Sequence, residues 1–448
     1  MSRPRLAEPV PENGAVAALN SDGEGVVREG KTAFVAGALP GEQIRFQRYA
    51  AHKGYDEARL LEVLEASPDR VVPRCRHFGV CGGCALQHLS HDAQLAAKDR
   101  ELRDALERVG RVAPAAWLAP LQGPVWGYRR RARLGARYVT SKERSLVGFR
   151  ERTGSFVADI DRCDVLVPKV GEMIPALSRL ATQLSIRMRL PQIEVAAADN
   201  QTALVLRTLS PPSAADRELL AAFEQEQGVR IYLQAGSPNN LETLDGRDEP
   251  LWYELPGFDL RLTFLPSDFV QINGEMNQRM IARVVELLEL DASSQLLDLF
   301  CGLGNFTLPI ARHAATVVGI EGEAGLVQRA RDNAAANGLA NVRFHAANLA
   351  GPEASTQCLR LAGAASVFTH VLLDPPRTGA RDVLEAVAAL APRRVVYVSC
   401  HPGSLARDLA ILVDTHGFRL RAAGIVDMFP HTNHVESVAV LDGPGVRS

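Results

Sequence analysis

The chain has 448 residues, 46% of them hydrophobic and 23% charged. Such a composition belongs to a globular protein of two to four domains and excludes a disordered or collagen-like chain. The net charge is −2, so no global basic excess announces a nucleic-acid partner, and no run approaches the ~18 apolar residues of a membrane span.

The start, Met1 to Val10, is polar with two prolines, unlike a secretory signal, and a cytoplasmic location is expected. Residues 15 to 65 read as a small all-β module. Short β-rich pieces at Ala33–Val35, Ile44–Phe46 and Arg59–Val63 alternate with turns at Gly23–Gly25, Gly37–Gly41 and Gly54. This pattern favours a small barrel of the oligonucleotide-binding kind.

A cysteine group follows. The chain has seven cysteines, and three of them, Cys75, Cys81 and Cys84, crowd into ten residues. An odd count in a cytoplasmic protein argues against a disulfide framework and points to metal. Cys163 is the candidate fourth ligand, and four thiolates suit zinc or an iron–sulfur cluster. The spacing is neither that of a paired Cys-x2-Cys zinc ribbon nor that of radical enzymes. Gly82 and Gly83 would let backbone N–H groups approach the sulfurs.

His91 to Arg111 then reads as a helix, stopped by Gly110 and Pro114. Between Ala66 and Val165 there are 18 Lys and Arg against 11 Asp and Glu, with a cluster at Arg129, Arg130, Arg131 and Arg133. A local patch of this kind can engage phosphates in a neutral chain, or can be a solvated surface. From Tyr128 to Phe264 the pattern is mixed α+β. Alternating segments lie at Thr202–Arg207 and Leu260–Phe264, and a helix at Met173–Ile186. After Leu265 the rhythm changes. Met276–Leu290 is amphipathic, and apolar strands at Gln295–Phe300, Ala315–Ile320, Val342–His345, Val371–Asp374 and Arg394–Ser399 alternate with helices. That predicts a doubly wound parallel sheet.

The first of these strands runs into Cys301-Gly302-Leu303-Gly304-Asn305, a turn that lets a ligand approach the backbone at the carboxyl edge of the sheet. The second ends at Glu321, about 20 residues on, where an acidic side chain accepts from ribose hydroxyls. Asn348, past the third strand, is placed to reach an adenine edge. The fourth delivers Asp374-Pro375-Pro376-Arg377, a rigid exit into the cleft that also suits amino-group methyl transfer. The fifth ends in Ser399-Cys400-His401. A thiolate adding to carbon 6 of uracil activates carbon 5, and a base must then remove the carbon-5 proton. A buried inert thiol is the competing reading of Cys400. Glu436 is the candidate base, in a polar stretch that also holds His431 and His434.

These residues together resemble the RlmD (RumA) family of 23S rRNA (uracil-1939-C5)-methyltransferases over nearly the whole chain. The resemblance implies a multidomain α/β protein: a TRAM domain (an OB-like RNA-binding barrel) at 1–66, a central α+β domain at 67–264 with an iron–sulfur site, and a Rossmann-like methyltransferase domain at 265–448. The helix at 91–111 is expected to pack back on the catalytic domain. The resemblance implies S-adenosylmethionine contacts from Gln271, Phe300, Asn305, Glu321, Asn348 and Asp374, with Cys400 as nucleophile and Glu436 as base. It implies a [4Fe-4S] cluster on Cys75, Cys81, Cys84 and Cys163, and a single-stranded or loop segment of 23S rRNA as partner, bound by a monomer with no membrane contact. Relatives acting on tRNA lack the cysteine group, and another rRNA paralogue lacks the β module, so having both favours the 1939 site. The alternatives are a tRNA or second-site uracil methyltransferase, an N-methyltransferase, and a non-catalytic RNA-binding assembly factor. One departure is His401, where the family usually carries Asn.

Overall fold

The computed structural model describes residues 10–236, 240–247, 249–363 and 367–445. Among these the chain builds a closed barrel, a six-stranded sheet, a two-stranded hairpin and an eight-stranded sheet.

The barrel is formed by β1 (Glu12–Leu19), β2 (Gly25–Val27), β3 (Ala33–Ala36), β4 (Gln43–Ala51) and β5 (Asp56–Glu65), in the order β1-β2-β3-β5-β4 with β1 closing on β4. Alternation on β3 and β4 turns Val35, Ile44 and Phe46 inward onto Val16, Val27 and Ala58. Register shifts along β4 and β5 supply the bending that closure of so small a barrel requires. β1 and β2 escape a propensity reading because Glu12–Leu19 is rich in Ala and Gly.

Helix α1 (His91–Ala105) starts at Ser90, whose side chain accepts from Ala93 N, and ends through a wider turn at Leu106–Gly110. Its Leu95 and Leu102, with Leu106 and Val112 beyond, pack into the same core as Leu405, Leu409 and Leu412 of the catalytic domain. The chain then adds β6 (Ala116–Trp117) to the edge of the catalytic sheet. The segment from 91 to 117 therefore belongs structurally with the C-terminal half, although it lies inside the stretch expected to form the central domain.

The central sheet follows. It comprises β7 (Arg131–Val139), β8 (Arg144–Gly148), β9 (Gln192–Ala197), β10 (Thr202–Thr208), β11 (Arg230–Ala235) and β12 (Leu241–Thr243) in the order β12-β11-β10-β9-β7-β8. Helix α2 (Pro168–Gln183) covers one face with Val170, Ile174 and Leu177, and α3 (Ala214–Gln227) adds Leu220 and Phe223. A hairpin of β13 (Leu251–Leu255) and β14 (Leu260–Phe264) leads out of this unit.

Then comes α4 (Gly274–Leu288), capped by Asn273, whose side chain accepts from Met276 N. Strands β15 (Gln295–Leu299), β16 (Thr316–Glu321), β17 (Val342–Ala346), β18 (His370–Leu373) and β19 (Arg394–Ser399) are parallel. They are joined by α5 (Thr307–Ala311), α6 (Ala324–Ala336), α7 (Ala354–Ala362) and α8 (Leu384–Ala389). After α9 (Pro402–Ala410), β20 (Arg419–Val426) and β21 (Glu436–Asp442) complete the sheet, with β21 inserted antiparallel between β19 and β20. The order β17-β16-β15-β18-β19-β21-β20-β6 reverses direction between β15 and β18. No helix among the described residues is long and apolar enough to cross a membrane.

Candidate active site and cysteine site

Open parallel sheets bind ligands at the carboxyl edge, where the strand order reverses. Here that point lies between β15 and β18. The first strand leaves the sheet through Phe300, which sits at φ 67, and Gly302, at φ 56. A left-handed phenylalanine is costly and is held only where the surroundings over-determine it. A β-carbon at Gly302 would meet no atom within 4 Å, so the turn keeps space open at the edge of the cleft. Glu321, at the end of β16, accepts from Gly302 N at 3.1 Å and Gly322 N at 2.6 Å. Its carboxylate thus closes the glycine turn while standing at the sheet edge.

Strand register brings the proposed reacting groups together. In the β19–β21 ladder Ser399 pairs with Ser437, so the next antiparallel pair is Cys400 opposite Glu436. Leu373 pairs with Tyr397 in the β18–β19 ladder, which puts Asp374 one residue past the same edge. Burial pushes the Glu436 carboxyl well above its ordinary value, and Asp374 adds to this. Burial, then Glu321, raises Asp374 to about 7. Burial, then Glu436 and Asp374, raise the Cys400 thiol, while Arg377 pulls it down.

A fourth carboxyl, Asp298 on β15, is 1% exposed. Its Oδ2 accepts from Thr307 Oγ1 at 2.5 Å and its Oδ1 has no protein partner. Burial raises Asp298 to about 8. The sequence reading gave this residue no role, although an acidic residue inside an apolar strand was the signal. Buried Asp298 and Glu436, with half-buried Asp374 and Glu321, make an acidic cluster at this edge, which suits a cationic ligand.

Gln271 lines a pocket with Arg130, Tyr253, Gly274 and Asn277. Asn305 is locked in a reciprocal amide pair with Asn277, at 2.9 Å in both directions, and accepts from Tyr253 Oη at 2.9 Å. Tyr253 and Asn277, which the sequence reading did not single out, therefore fix the end of the glycine turn to β13 and α4. Asn348 is exposed, and its Oδ1 accepts from Ala350 N at 3.0 Å.

The four N-terminal cysteines converge elsewhere. Cys75, Cys81, Cys84 and Cys163 all line one cavity walled by Phe78, Phe149, Ile160 and Val165. Burial pushes Cys81 up to about 11 and Cys84 to about 12, and neighbouring cysteines add to both. Sulfur acceptors are supplied with donors: Gly83 N lies 3.5 Å from Cys81 Sγ, and Leu166 and Val165 amides face Cys163. Gly171 on α2 is required here, because a β-carbon would fall 2.2 Å from Cys163 O. Among the described residues no group of three or more His, Cys, Asp or Glu is arranged to hold a metal ion.

A profile of the tRNA (Uracil-5-)-methyltransferase family matches residues 90–443. The chain belongs to this family. A protein of Stenotrophomonas maltophilia (strain K279a) named 23S rRNA (uracil(1939)-C(5))-methyltransferase RlmD is 50% identical over 428 residues, 95% of each chain. One of the same name from Xanthomonas euvesicatoria pv. vesicatoria (strain 85-10) is 50% identical over 432 residues, 96% of each. The crystal structure of Pyrococcus abyssi tRNA (uracil-54, C5)-methyltransferase in complex with S-adenosyl-L-homocysteine is similar at a TM-score of 0.74 and 25% identity. The match covers 96% of this chain and 100% of that one. The chain is thus an RlmD-type RNA uracil-C5 methyltransferase, and the reversed sheet is its Rossmann-like, S-adenosylmethionine-dependent domain.

Two sequence features of this uracil-5-methyltransferase take on a different meaning in the structure. The arginine run is largely committed inside the protein. Arg129 Nε donates to Arg131 O at 2.9 Å, Arg130 pairs with Asp199, and Arg131 donates to Pro266 O at 2.6 Å. The Arg131 bond, with Arg130 N donating to Ile272 O at 2.7 Å, fastens the loop that carries Gln271, while the Arg133 side chain remains 78% exposed. His401, in place of the family's usual Asn, caps α9: its Nδ1 accepts from Ser404 N at 3.1 Å. An imidazole acceptor does the work of an amide oxygen here.

The acidic lining predicts a pH dependence. Asp298 and Asp374 rise from 3.8 to about 8 and about 7, so the folded chain holds these protons more tightly than the unfolded one. Their stabilising contribution is complete below 3.8 and is lost as pH rises towards about 8. Without ligand, the thermal midpoint should fall between about pH 5 and about pH 8, and a sulfonium ligand should raise it more at the upper end. A level or rising midpoint in scanning calorimetry would contradict this assignment.

Proposed function

We propose that this enzyme methylates carbon 5 of a uridine in 23S rRNA, at the site equivalent to uracil 1939, with Cys400 as nucleophile and Glu436 as base. The observation that supports this reading most directly is the β19–β21 register, which ends with Ser399 opposite Ser437 and so carries Cys400 and Glu436 to the same edge as Asp374. The substrate assignment is supported by 50% identity over 95% of the chain to a relative of that name. Both the cysteine group and the barrel, which together favour this site, are present.

S-adenosylmethionine, when bound, supplies an electrophilic methyl group. Gln271, Phe300, Asn305, Glu321, Asn348 and Asp374 are the residues proposed to hold it, and the buried carboxylates around Asp374 suit its positive charge. The Cys400 thiolate adds to carbon 6 of the flipped uracil, and the electron pair displaced toward carbon 5 is thereby made nucleophilic. Once carbon 5 carries the methyl group, Glu436 removes its proton. The electrons of that C–H bond re-form the carbon 5–carbon 6 double bond and expel the thiolate. Ionisation of both Cys400 and Glu436 is disfavoured by burial, and a cationic methyl donor beside them would favour the ionised forms before methyl transfer.

Cys75, Cys81, Cys84 and Cys163 are proposed to hold a [4Fe-4S] cluster. A cluster sets its thiolates further apart than a single ion does, and this cavity offers four sulfurs, apolar walls and N–H donors aimed at sulfur. Methyl transfer needs no electrons, so the bound group would act as a cross-link between the cysteine loop and the central sheet. The barrel of β1 to β5, Glu12 to Glu65, is proposed as an RNA-binding TRAM module. An enzyme acting on rRNA is placed in the cytoplasm.

The test is transfer of labelled methyl to 23S rRNA from a strain lacking this modification, mapped by position. A single 5-methyluridine at the site equivalent to 1939 is expected. Label in tRNA alone, or at another rRNA position alone, overturns the substrate assignment.

A further inference from the structure

The loop that joins β20 to β21 ends at Glu436, and it is gripped by groups from the N-terminal half of the chain. Lys98 Nζ donates to Phe429 O at 2.9 Å, and Tyr128 Oη donates to Pro430 O at 2.9 Å. The amides of Ala85 and Leu86, next to Cys84, donate to His431 O at 2.9 and 3.0 Å. Three consecutive carbonyls are thus held from outside the catalytic sheet. Lys98 also pairs with buried Asp427 at 2.7 Å, and His91 reaches the same carboxylate at 2.9 Å.

His431 is the focus of this grip. It is buried, stands at φ 64 in the left-handed region, and stacks on Trp126 with ring centroids 4.0 Å apart. Gln94, on the first turn of α1 and 1% exposed, holds its backbone N–H. Gln94 Oε1 accepts from His431 N at 2.9 Å, and Gln94 Nε2 lies 3.3 Å from His431 Nδ1. The same Nε2 donates to Leu86 O at 3.0 Å and Leu89 O at 2.8 Å. One buried amide therefore joins helix, cysteine loop and catalytic loop, five residues before the proposed base.

We propose that Gln94 is a positioning residue for Glu436: it fixes the left-handed turn at His431 from which the chain enters β21, and so sets the carboxylate against the carbon-5 proton. The inference rests on the reading of Glu436 as the base. It carries a chemical signature. Cys400 attack and methyl transfer precede the step that Glu436 performs. A displaced base therefore leaves the carbon 6–sulfur bond unbroken after the methyl group is in place, and enzyme remains covalently joined to methylated RNA.

The experiment compares Gln94→Ala, Gln94→Glu and Glu436→Gln in the full-length chain with labelled methyl donor, reading turnover and labelled protein–RNA adduct on denaturing gels. Gln94→Glu keeps the acceptor for His431 N and loses the donors, so it tests the same grip with little change of volume. Affinities for S-adenosylhomocysteine and for the RNA report on folding. Both Gln94 variants should lose roughly tenfold to a hundredfold in turnover, with KM for RNA unchanged, and should accumulate adduct. Parental turnover in both overturns the proposal. So does a loss of turnover in step with both affinities and without adduct, while Glu436→Gln still traps adduct. Failure of Glu436→Gln itself to trap adduct overturns the base assignment instead, and the inference with it.

Discussion

Cys400→Ala abolishes methyl transfer, with turnover reduced by at least roughly 10⁴-fold, while binding of S-adenosylhomocysteine and the folded state are retained. The magnitude follows from the role: a nucleophile that forms a covalent intermediate has no substitute within the cleft, and its loss removes the pathway rather than slowing one step. The other two cysteines of the catalytic domain cannot stand in. Cys301 is 5% exposed and burial raises it well above its ordinary value, and Cys358, on the inner face of α7, is fully buried and raised to about 12. The substitution itself is mild for the fold, because Cys400 is only half-buried at a strand end. Single-turnover transfer of labelled methyl to RNA, with ligand binding measured on the same preparation, decides the point. Survival of more than about a hundredth of the parental rate would mean that carbon 5 is activated without thiolate addition, or that Asp374-Pro375-Pro376 serves an amino group instead.

The distance between what the sequence disclosed and what the fold adds is instructive at particular residues. Of the five parallel strands after Leu265, β15, β16, β18 and β19 were legible as short apolar runs, as strands buried on both faces must read, whereas β17 at the sheet edge mixes Arg343 and His345 into its run. Convergence of Cys400 and Asp374 followed from the same rule, since parallel strands deliver their carboxyl ends to one edge. Glu436 was harder to place. It lies on an antiparallel strand inserted out of order, and only the β19–β21 register, with Ser399 opposite Ser437, brings it to the strand end that carries Cys400. The arginine run stayed open for a physical reason: sequence shows charge but not direction, and in the fold Arg130 pairs with Asp199 and Arg131 donates to Pro266 O. Tyr253, Asn277 and Gln94 were invisible because their importance lies in whom they bond, across 52, 28 and 337 positions of chain. No local pattern encodes such pairs.

Removing one thiol of the cysteine site should have the second large effect. With Cys84→Ala, the protein should lose its visible absorbance together with its iron and acid-labile sulfide, and its thermal midpoint should fall steeply. A bound cluster contributes folding free energy outright, because the unfolded chain offers no formed site. The loop from Cys75 to Leu89 has no helix or strand of its own, so the proposed cross-link would add to the few hydrogen bonds that hold it. What remains after its loss is three thiols around an apolar cavity. The consequence should reach the active site, since Ala85 and Leu86, directly after Cys84, hold His431 O. Turnover should therefore fall even in molecules that stay folded. Cys358→Ala, which touches neither the cavity nor the loop, should keep full iron content and serves as the comparison. Colourless protein with one zinc per chain would assign the four thiols to a single ion. Parental stability and turnover in Cys84→Ala would show that the loop holds His431 without any bound group. Either result would separate the cysteine site's chemistry from the reaction at Cys400, which requires only the thiolate, the base and the methyl donor.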